Sequence, residues 1–114
     1  MHEMSIALSI IDIAEKEAKK AKAIQVNEIE LEVGQLAGVE YRALEFAFET
    51  AVKNTILENT IVKIHKPKGQ AICSDCETTF ELEDLYSACP KCGGYFHNII
   101  KGKELRVKSL LVDD

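Results

Sequence analysis

Apolar residues recur first at helical and then at strand spacing along the first third of the chain. Between residues 4 and 21 they stand three and four positions apart with charged residues between them, which predicts an amphipathic helix. Residues 24–33 then alternate apolar side chains with glutamates, which predicts a half-buried strand. The alternation changes parity at Asn27, so we expect a bulge or a late strand start there.

The rest of the chain predicts a second helix, two further strands and a cysteine-containing segment. We expect the helix at about 40–53. Residues 60–72 are rich in β-branched side chains but contain Pro67 and Gly69, so this strand should leave its sheet near Pro67. Residues 104–112 alternate again and predict a last strand. This order predicts an α+β fold class, with two helices packed on a three-stranded sheet and the cysteine segment inserted between two strands.

The length, charge and composition of the chain exclude several classes of function. The 114 residues suffice for one small domain with an insert. Nineteen acidic against fourteen basic residues give a formal charge of -5, which argues against nucleic acid as the main partner. No segment approaches the roughly 20 apolar residues of a membrane span, and the first residues lack the basic start of a secretory signal. We therefore expect a cytoplasmic protein without a membrane partner.

The four cysteines form a C-x2-C-x12-C-x2-C pattern: Cys73, Cys76, Cys89 and Cys92. Two close pairs without an export signal favour metal ligation over disulfides. Four thiolates select zinc or iron, and Zn(II) is favoured because the segment lacks the compact aromatic core typical of rubredoxin-type iron sites. We therefore predict a zinc-ribbon-like insert at 73–97 within an α+β domain made of 1–72 and 98–114. Four sulfurs leave no open position for a catalytic water, and the protein is not expected to be an enzyme.

The amino terminus carries a second candidate metal site. If the α-amine of Met1 is free, it can bind a metal together with the amide nitrogen and the imidazole of His2, and the amide nitrogen of Glu3 can close a third chelate ring. Square-planar nitrogen ligation suits Ni(II) or Cu(II) and does not suit zinc. His65 is interpreted as an outward-facing strand residue. His97 follows Cys92 by five residues and is a candidate to replace one of the sulfurs at the metal, but it is interpreted as a surface residue.

The chain resembles the HypA family, the nickel-insertion accessory proteins of [NiFe]-hydrogenase maturation. The resemblance rests on five segments that span almost the whole chain: 1–3, 32–39, 44–49, the two cysteine pairs and 102–105. It implies a metallochaperone that binds Ni(II) through His2 at the amino terminus and structural zinc through the four cysteines. It also implies delivery of nickel to the hydrogenase large-subunit precursor, with the GTPase HypB as a partner, and some family members also serve urease.

Two other functions are compatible with the residues alone. The first is a zinc-ribbon adaptor that binds protein or RNA without nickel chemistry, in which Lys91, Lys101 and Lys103 would form a local basic patch. The second is a rubredoxin-like electron carrier, which visible absorbance would reveal. For the nickel function, Glu3 is expected to assist as a nearby carboxylate, and Glu40 is a further candidate partner of the site.

Overall fold

The computed structural model describes residues 2–113, and within them the chain forms two helices and six strands. In chain order these are α1 (Glu3–Lys20), β1 (Gln25–Val33), α2 (Tyr41–Ala51), β2 (Ile61–His65), β3 (Gln70–Cys73), β4 (Thr79–Glu81), β5 (His97–Lys101) and β6 (Leu105–Asp113). The chain divides into two compact units. Neither helix of this described part is long and apolar enough to span a membrane.

The first unit contains residues 2–31, 39–64 and 106–113, and its sheet has the order β2-β1-β6. The Thr60 hydroxyl donates to the Val26 carbonyl at 2.6 Å, and further along the same two segments Lys63 pairs with Glu28. Contacts that advance in the same direction along both segments are typical of a parallel pair, as expected when a helix connects two strands. Glu40 begins that connecting helix as the N-cap of α2.

Both helices of the first unit bury one face. α1 buries Ala7, Ile10, Ile11, Ala14 and Ala18, and α2 buries Leu44, Ala47 and Phe48, at the spacings that predicted them. The two helices contact each other directly. In β1 the parity change predicted at Asn27 is present, because Val26 and Ile29 are both buried although they are three positions apart.

The second unit contains residues 32–38 and 65–105, and its sheet has the order β4-β3-β5 with antiparallel pairs. This unit includes the predicted insert 73–97 and the strands on either side of it. The segment 60–72 contributes one strand to each sheet, and the chain leaves the first sheet between β2 and Pro67, as that proline predicted. The alternation pattern did not predict β5, which pairs with β3 through an irregular register between Gln70 and Ala71.

Three glycines allow backbone segments of the second unit to approach one another closely. The Gly34 N–H donates to the Glu104 carbonyl at 2.8 Å, and a Cβ on Gly34 would overlap the carbonyl group of Gly102. Gly102 has a φ of +111°, and a Cβ there would lie 2.6 Å from the Cα of Gly69. Because the neighbours at these positions are backbone atoms, they cannot move aside as a side-chain tip can.

We therefore expect Gly34→Ala to destabilise the second unit by at least about 2 kcal/mol, since overpacking against backbone typically costs about 1–3 kcal/mol. Thermal unfolding of the zinc-loaded protein would measure the loss. Gly94→Ala is the matched control, because the closest neighbour of a Cβ there, at 2.6 Å, is the tip of the exposed Asp75 carboxylate, which can rotate away, and the Cys92 sulfur at 3.4 Å is at van der Waals distance. Equal melting temperatures for the Gly34 variant and the unmodified protein would contradict the proposed backbone contact.

Candidate metal centre

The four cysteines predicted from the sequence converge on one point. Their Sγ atoms all lie within 4.8 Å of one another. The Sγ of Cys73 is 3.5 Å from that of Cys92, and the Sγ of Cys76 is 3.7 Å from that of Cys89. A tetrahedral zinc site with Zn–S bonds of about 2.3 Å would place its sulfurs roughly 3.8 Å apart. The donor set and its spacing therefore fit a structural zinc ion, and within residues 2–113 this is the one cluster of potential metal ligands.

Two similar turns present the sulfurs. In the first turn the Glu77 N–H donates to the Cys73 carbonyl at 2.9 Å, and in the second the Gly93 N–H donates to the Cys89 carbonyl at 2.8 Å. Both donors have a left-handed backbone, with φ of 62° at Glu77 and 76° at Gly93. Glycine adopts this conformation without strain, whereas a glutamate in it carries a conformational cost. The surrounding hydrogen bonds therefore hold the first turn in a conformation that its own residue disfavours.

The cluster is buried on one side and open on the other. Cys73 and Cys89 are 1% and 2% exposed and belong to the apolar core of the second unit, together with Ala71, Phe80 and Leu82. Cys76 is half-buried and Cys92 is exposed. The sequence spacing predicted that four sulfurs would meet, but it did not predict which of them would face solvent.

Hydrogen bonds make the thiols of Cys76 and Cys92 inequivalent. The Thr78 hydroxyl, whose oxygen lies 3.1 Å from the Cys76 sulfur, and the Thr78 N–H lower the pKa of Cys76 to about 6. At Cys92 the Gly94 N–H acts to lower the pKa, but the adjoining thiols of Cys73 and Cys76 outweigh it and raise the pKa to about 12. Without a metal, Cys76 therefore ionises before Cys92, which retains its proton at neutral pH. The role of Thr78 was not predicted, although a hydroxyl side chain two positions after a ligand cysteine indicates a possible hydrogen bond to that sulfur.

The structure also places the amino-terminal candidates, except Met1, which lies outside the described residues. His2 is the exposed N-cap of α1, and Glu3 is the first residue of that helix. The Glu40 N–H donates to the Glu3 carboxylate at 3.4 Å. The Glu40 carboxylate in turn accepts from the N–H groups of Arg42 and Ala43. Glu3 and Glu40 are thus brought together at the start of α2.

The two remaining histidines differ from one another. His65 is exposed on β2, in agreement with its interpretation as an outward-facing residue. His97 was interpreted as a surface residue, and this is wrong, because it is half-buried and its ring lies edge-on to Phe80 with the centroids 5.8 Å apart. It is paired with Cys73 across β3 and β5, and its buried Nδ1 has no hydrogen-bond partner within residues 2–113.

Comparison with known proteins assigns this arrangement to a family. A family model described as "Hydrogenase/urease nickel incorporation, metallochaperone, hypA" matches residues 1–112. The chain belongs to the HypA family. The hydrogenase maturation factor HypA of Parabacteroides distasonis is 49% identical over 112 residues, which cover 98% of this chain and 97% of the relative. The corresponding factor of Prosthecochloris aestuarii is 40% identical and covers 99% and 100%.

The fold agrees with the solution structure of the Ni metallochaperone HypA from Helicobacter pylori. The TM-score is 0.71 at 29% identity, and the match covers 98% of this chain and 97% of the other. The family resemblance and the α+β fold class with a zinc-ribbon-like site are therefore confirmed. HypA proteins bind nickel, and the four-cysteine cluster fits structural zinc. The relatives are named as maturation factors and metallochaperones and not as enzymes.

We expect one zinc ion per chain, with an affinity that rises with pH. Zinc binds thiolates, so binding must release the proton that Cys92 holds because its pKa is raised to about 12. Near neutral pH the apparent association constant should rise by about tenfold or more for each pH unit. Elemental analysis and competition with a chromogenic chelator at pH 6.5, 7.5 and 8.5 would measure both quantities. A pH-independent affinity, or iron in place of zinc, would contradict the assignment.

Proposed function

We propose that this HypA family member is a nickel metallochaperone that binds Ni(II) at its amino terminus and delivers it to the [NiFe]-hydrogenase large-subunit precursor. The family description names nickel incorporation for hydrogenase and urease, and the most similar relatives considered above are named as hydrogenase maturation factors. The observation that carries the proposal is the position of His2 and Glu3 at the first turn of α1, beside the start of α2. The GTPase HypB is the proposed partner, and a contribution to urease maturation is compatible with the family description.

The proposed nickel ligands are the α-amine of Met1, the amide nitrogen and imidazole of His2, and the amide nitrogen of Glu3. At the start of α1 the Ile6 N–H donates to the His2 carbonyl at 3.2 Å. The amide of Glu3 precedes Ile6 within the first turn, where N–H groups have no intrahelical acceptor. Deprotonating this amide to bind a metal therefore breaks no hydrogen bond of the helix.

The positions of two carboxylates also favour the amino terminus as the nickel site. Glu3 reaches the N–H of Glu40, so the first residue of α1 is attached to the start of α2. The Glu40 carboxylate caps α2 by accepting from Ala43 at 2.6 Å and Arg42 at 3.3 Å. Both negative charges lie close to where Ni(II) would bind, and they favour a cation there. Glu3 and Glu40 are therefore proposed to position the chelate and to lower the electrostatic cost of holding the ion.

The zinc site is proposed to have a structural role in this function. Four thiolates complete a tetrahedral coordination shell, so no position is left for a substrate or a catalytic water. Cys73 and Cys89 lie in the core of the second unit, and their sulfurs would keep the two turns together when bound to zinc. The nickel chemistry is accordingly assigned to the amino terminus alone.

Extending the chain by Gly-Ser before Met1 should abolish tight Ni(II) binding, because the α-amine becomes an amide and the chelate moves to mid-chain. His2→Ala should have the same effect by removing the imidazole. Calorimetric titration, with absorbance in the d–d region to report planar nickel, would measure the loss. Both variants should retain zinc and helical signal, since His2 is exposed.

His65→Ala is the matched control for the nickel titration, because it removes an exposed imidazole on β2 and leaves the amino terminus unchanged. It should bind nickel as tightly as the unmodified protein. If the extended chain also keeps its affinity, the nickel ligands lie elsewhere and the proposed site is wrong.

A strain that lacks this protein should lose [NiFe]-hydrogenase activity and recover part of it in medium with excess nickel, because mass action then replaces delivery. Hydrogenase activity per cell, measured across a series of nickel concentrations, would test this. Complementation with the His2→Ala variant should fail in nickel-poor medium. Undiminished activity in nickel-poor medium, in a strain without a paralogue, would contradict the delivery role and favour a zinc-ribbon adaptor.

A further inference from the structure

The four zinc-ligand cysteines differ in how far a small reagent can reach them. Cys73 and Cys89 are 1% and 2% exposed, packed among the apolar side chains of the second unit. Cys76 is half-buried, and Cys92 is the exposed member of the cluster. Reaction of a thiolate with a dissolved oxidant or electrophile requires direct access to sulfur. On accessibility alone, Cys92 and, to a lesser degree, Cys76 are therefore the cysteines that a reagent can reach.

Hydrogen bonds then separate these two sulfurs. The Cys76 thiol donates to the Thr78 hydroxyl oxygen at 3.1 Å, and as a zinc-bound thiolate the same sulfur would instead accept from that hydroxyl and from the Thr78 N–H. The Cys92 sulfur accepts from the N–H of Gly94. Hydrogen bonds donated to a thiolate withdraw electron density and make it a weaker nucleophile. Cys92 is thus both the more accessible and the less hydrogen-bonded of the two.

Gly94 and the Asp75 carboxylate border the exposed sulfur of Cys92. A Cβ on Gly94 would lie 3.4 Å from the Cys92 sulfur and 2.6 Å from a carboxylate oxygen of Asp75. A side chain at position 94 would therefore crowd both the sulfur and the carboxylate beside it. The neighbouring Asp75 carboxylate is exposed and carries a negative charge, so neutral reagents should reach the sulfur more easily than anionic ones.

We propose that Cys92 is the site at which hydroperoxides and other small neutral electrophiles modify the zinc-loaded protein, and that Cys73 then forms a disulfide with it. Cys73 is the nearby partner because its Sγ lies 3.5 Å from the Cys92 Sγ. The resulting disulfide would join the two turns, in contrast to one within either C-x-x-C pair. This modification is independent of the nickel function proposed above.

With hydrogen peroxide the reaction has two steps. The Cys92 thiolate attacks one peroxide oxygen, so the S–O bond forms as the O–O bond breaks, giving a sulfenic acid and hydroxide. The Cys73 thiolate then attacks the sulfenic sulfur and expels a second hydroxide as the S–S bond forms. Two sulfurs lose two electrons in total, the peroxide is reduced, and two protons from solvent convert both hydroxides to water. The cluster has then lost two of its four thiolate ligands, so its affinity for zinc falls and the ion is released.

The zinc-loaded, full-length protein can be tested without mutation. Brief treatment with substoichiometric N-ethylmaleimide, followed by peptide mass spectrometry, should give Cys92 as the first modified residue, with about tenfold preference over each buried cysteine. Treatment with hydrogen peroxide should release zinc, detected with a chromogenic chelator, in step with a Cys73–Cys92 disulfide. First modification at Cys76 or Cys89, or a first disulfide within one C-x-x-C pair, would overturn the proposal.

Two variants that keep all four ligands sharpen the test. Gly94→Ala adds a methyl group beside the Cys92 sulfur and should slow modification of Cys92 at unchanged zinc content. Thr78→Val removes the hydroxyl donor from Cys76 and should raise the reactivity of Cys76 while leaving that of Cys92 unchanged. Native rates in the Gly94 variant, or faster reaction at Cys92 in the Thr78 variant, would show that the immediate surroundings of the two sulfurs do not control the reaction.

Discussion

The convergence of four sulfurs is the constraint on which the second unit depends. Its apolar core consists of five buried side chains, and two of them are the ligands Cys73 and Cys89. The remaining three, Ala71, Phe80 and Leu82, can supply only a few kcal/mol, because full burial of a large apolar side chain is worth about 1.5–3 kcal/mol. Zinc bound by four thiolates typically supplies about 10–16 kcal/mol in small peptides. Metal coordination therefore replaces the hydrophobic core that so short a segment cannot build.

The regular elements of the first unit could be predicted from the sequence because each buries one face at a fixed period. The predicted helix at 4–21 is observed as Glu3–Lys20, and the parity change in β1 is observed as two buried positions three residues apart, Val26 and Ile29, with Asn27 between them. β5 could not be predicted in this way. Its partner β3 lies more than twenty residues away along the chain. The register of the pair is irregular at Gln70, and the β5 sequence contains two consecutive isoleucines, Ile99 and Ile100, in place of alternating apolar and polar residues. Irregular pairing removes the periodic signal on which sequence analysis depends.

In the candidate site too, features set by neighbouring residues could be predicted, and features set by contacts between distant residues could not. The identity of the four ligands follows from local spacing, and so do the two turns that present them. Which sulfur is exposed depends on packing against strands elsewhere in the chain, and no local pattern records it. The contact between Glu3 and the N–H of Glu40 joins residues 37 positions apart. The half-buried state of His97 likewise depends on Phe80, a neighbour in space that lies far from it along the chain.

The zinc site and the proposed nickel site differ in how their ligands are connected, and we propose that this difference lets one chain retain one metal and surrender another. The zinc ligands come from two separate turns, and two of the four are buried, so an incoming acceptor cannot replace all four sulfurs one by one while that core stays closed. The proposed nickel ligands come from three consecutive residues, of which His2 is exposed, so an acceptor could replace them one at a time. Stepwise replacement avoids the free-energy cost of exposing a bare ion, because each new bond forms as an old one breaks. Retention of zinc therefore follows from ligands that are distant in sequence and partly buried, and the proposed delivery of nickel would follow from ligands that are contiguous.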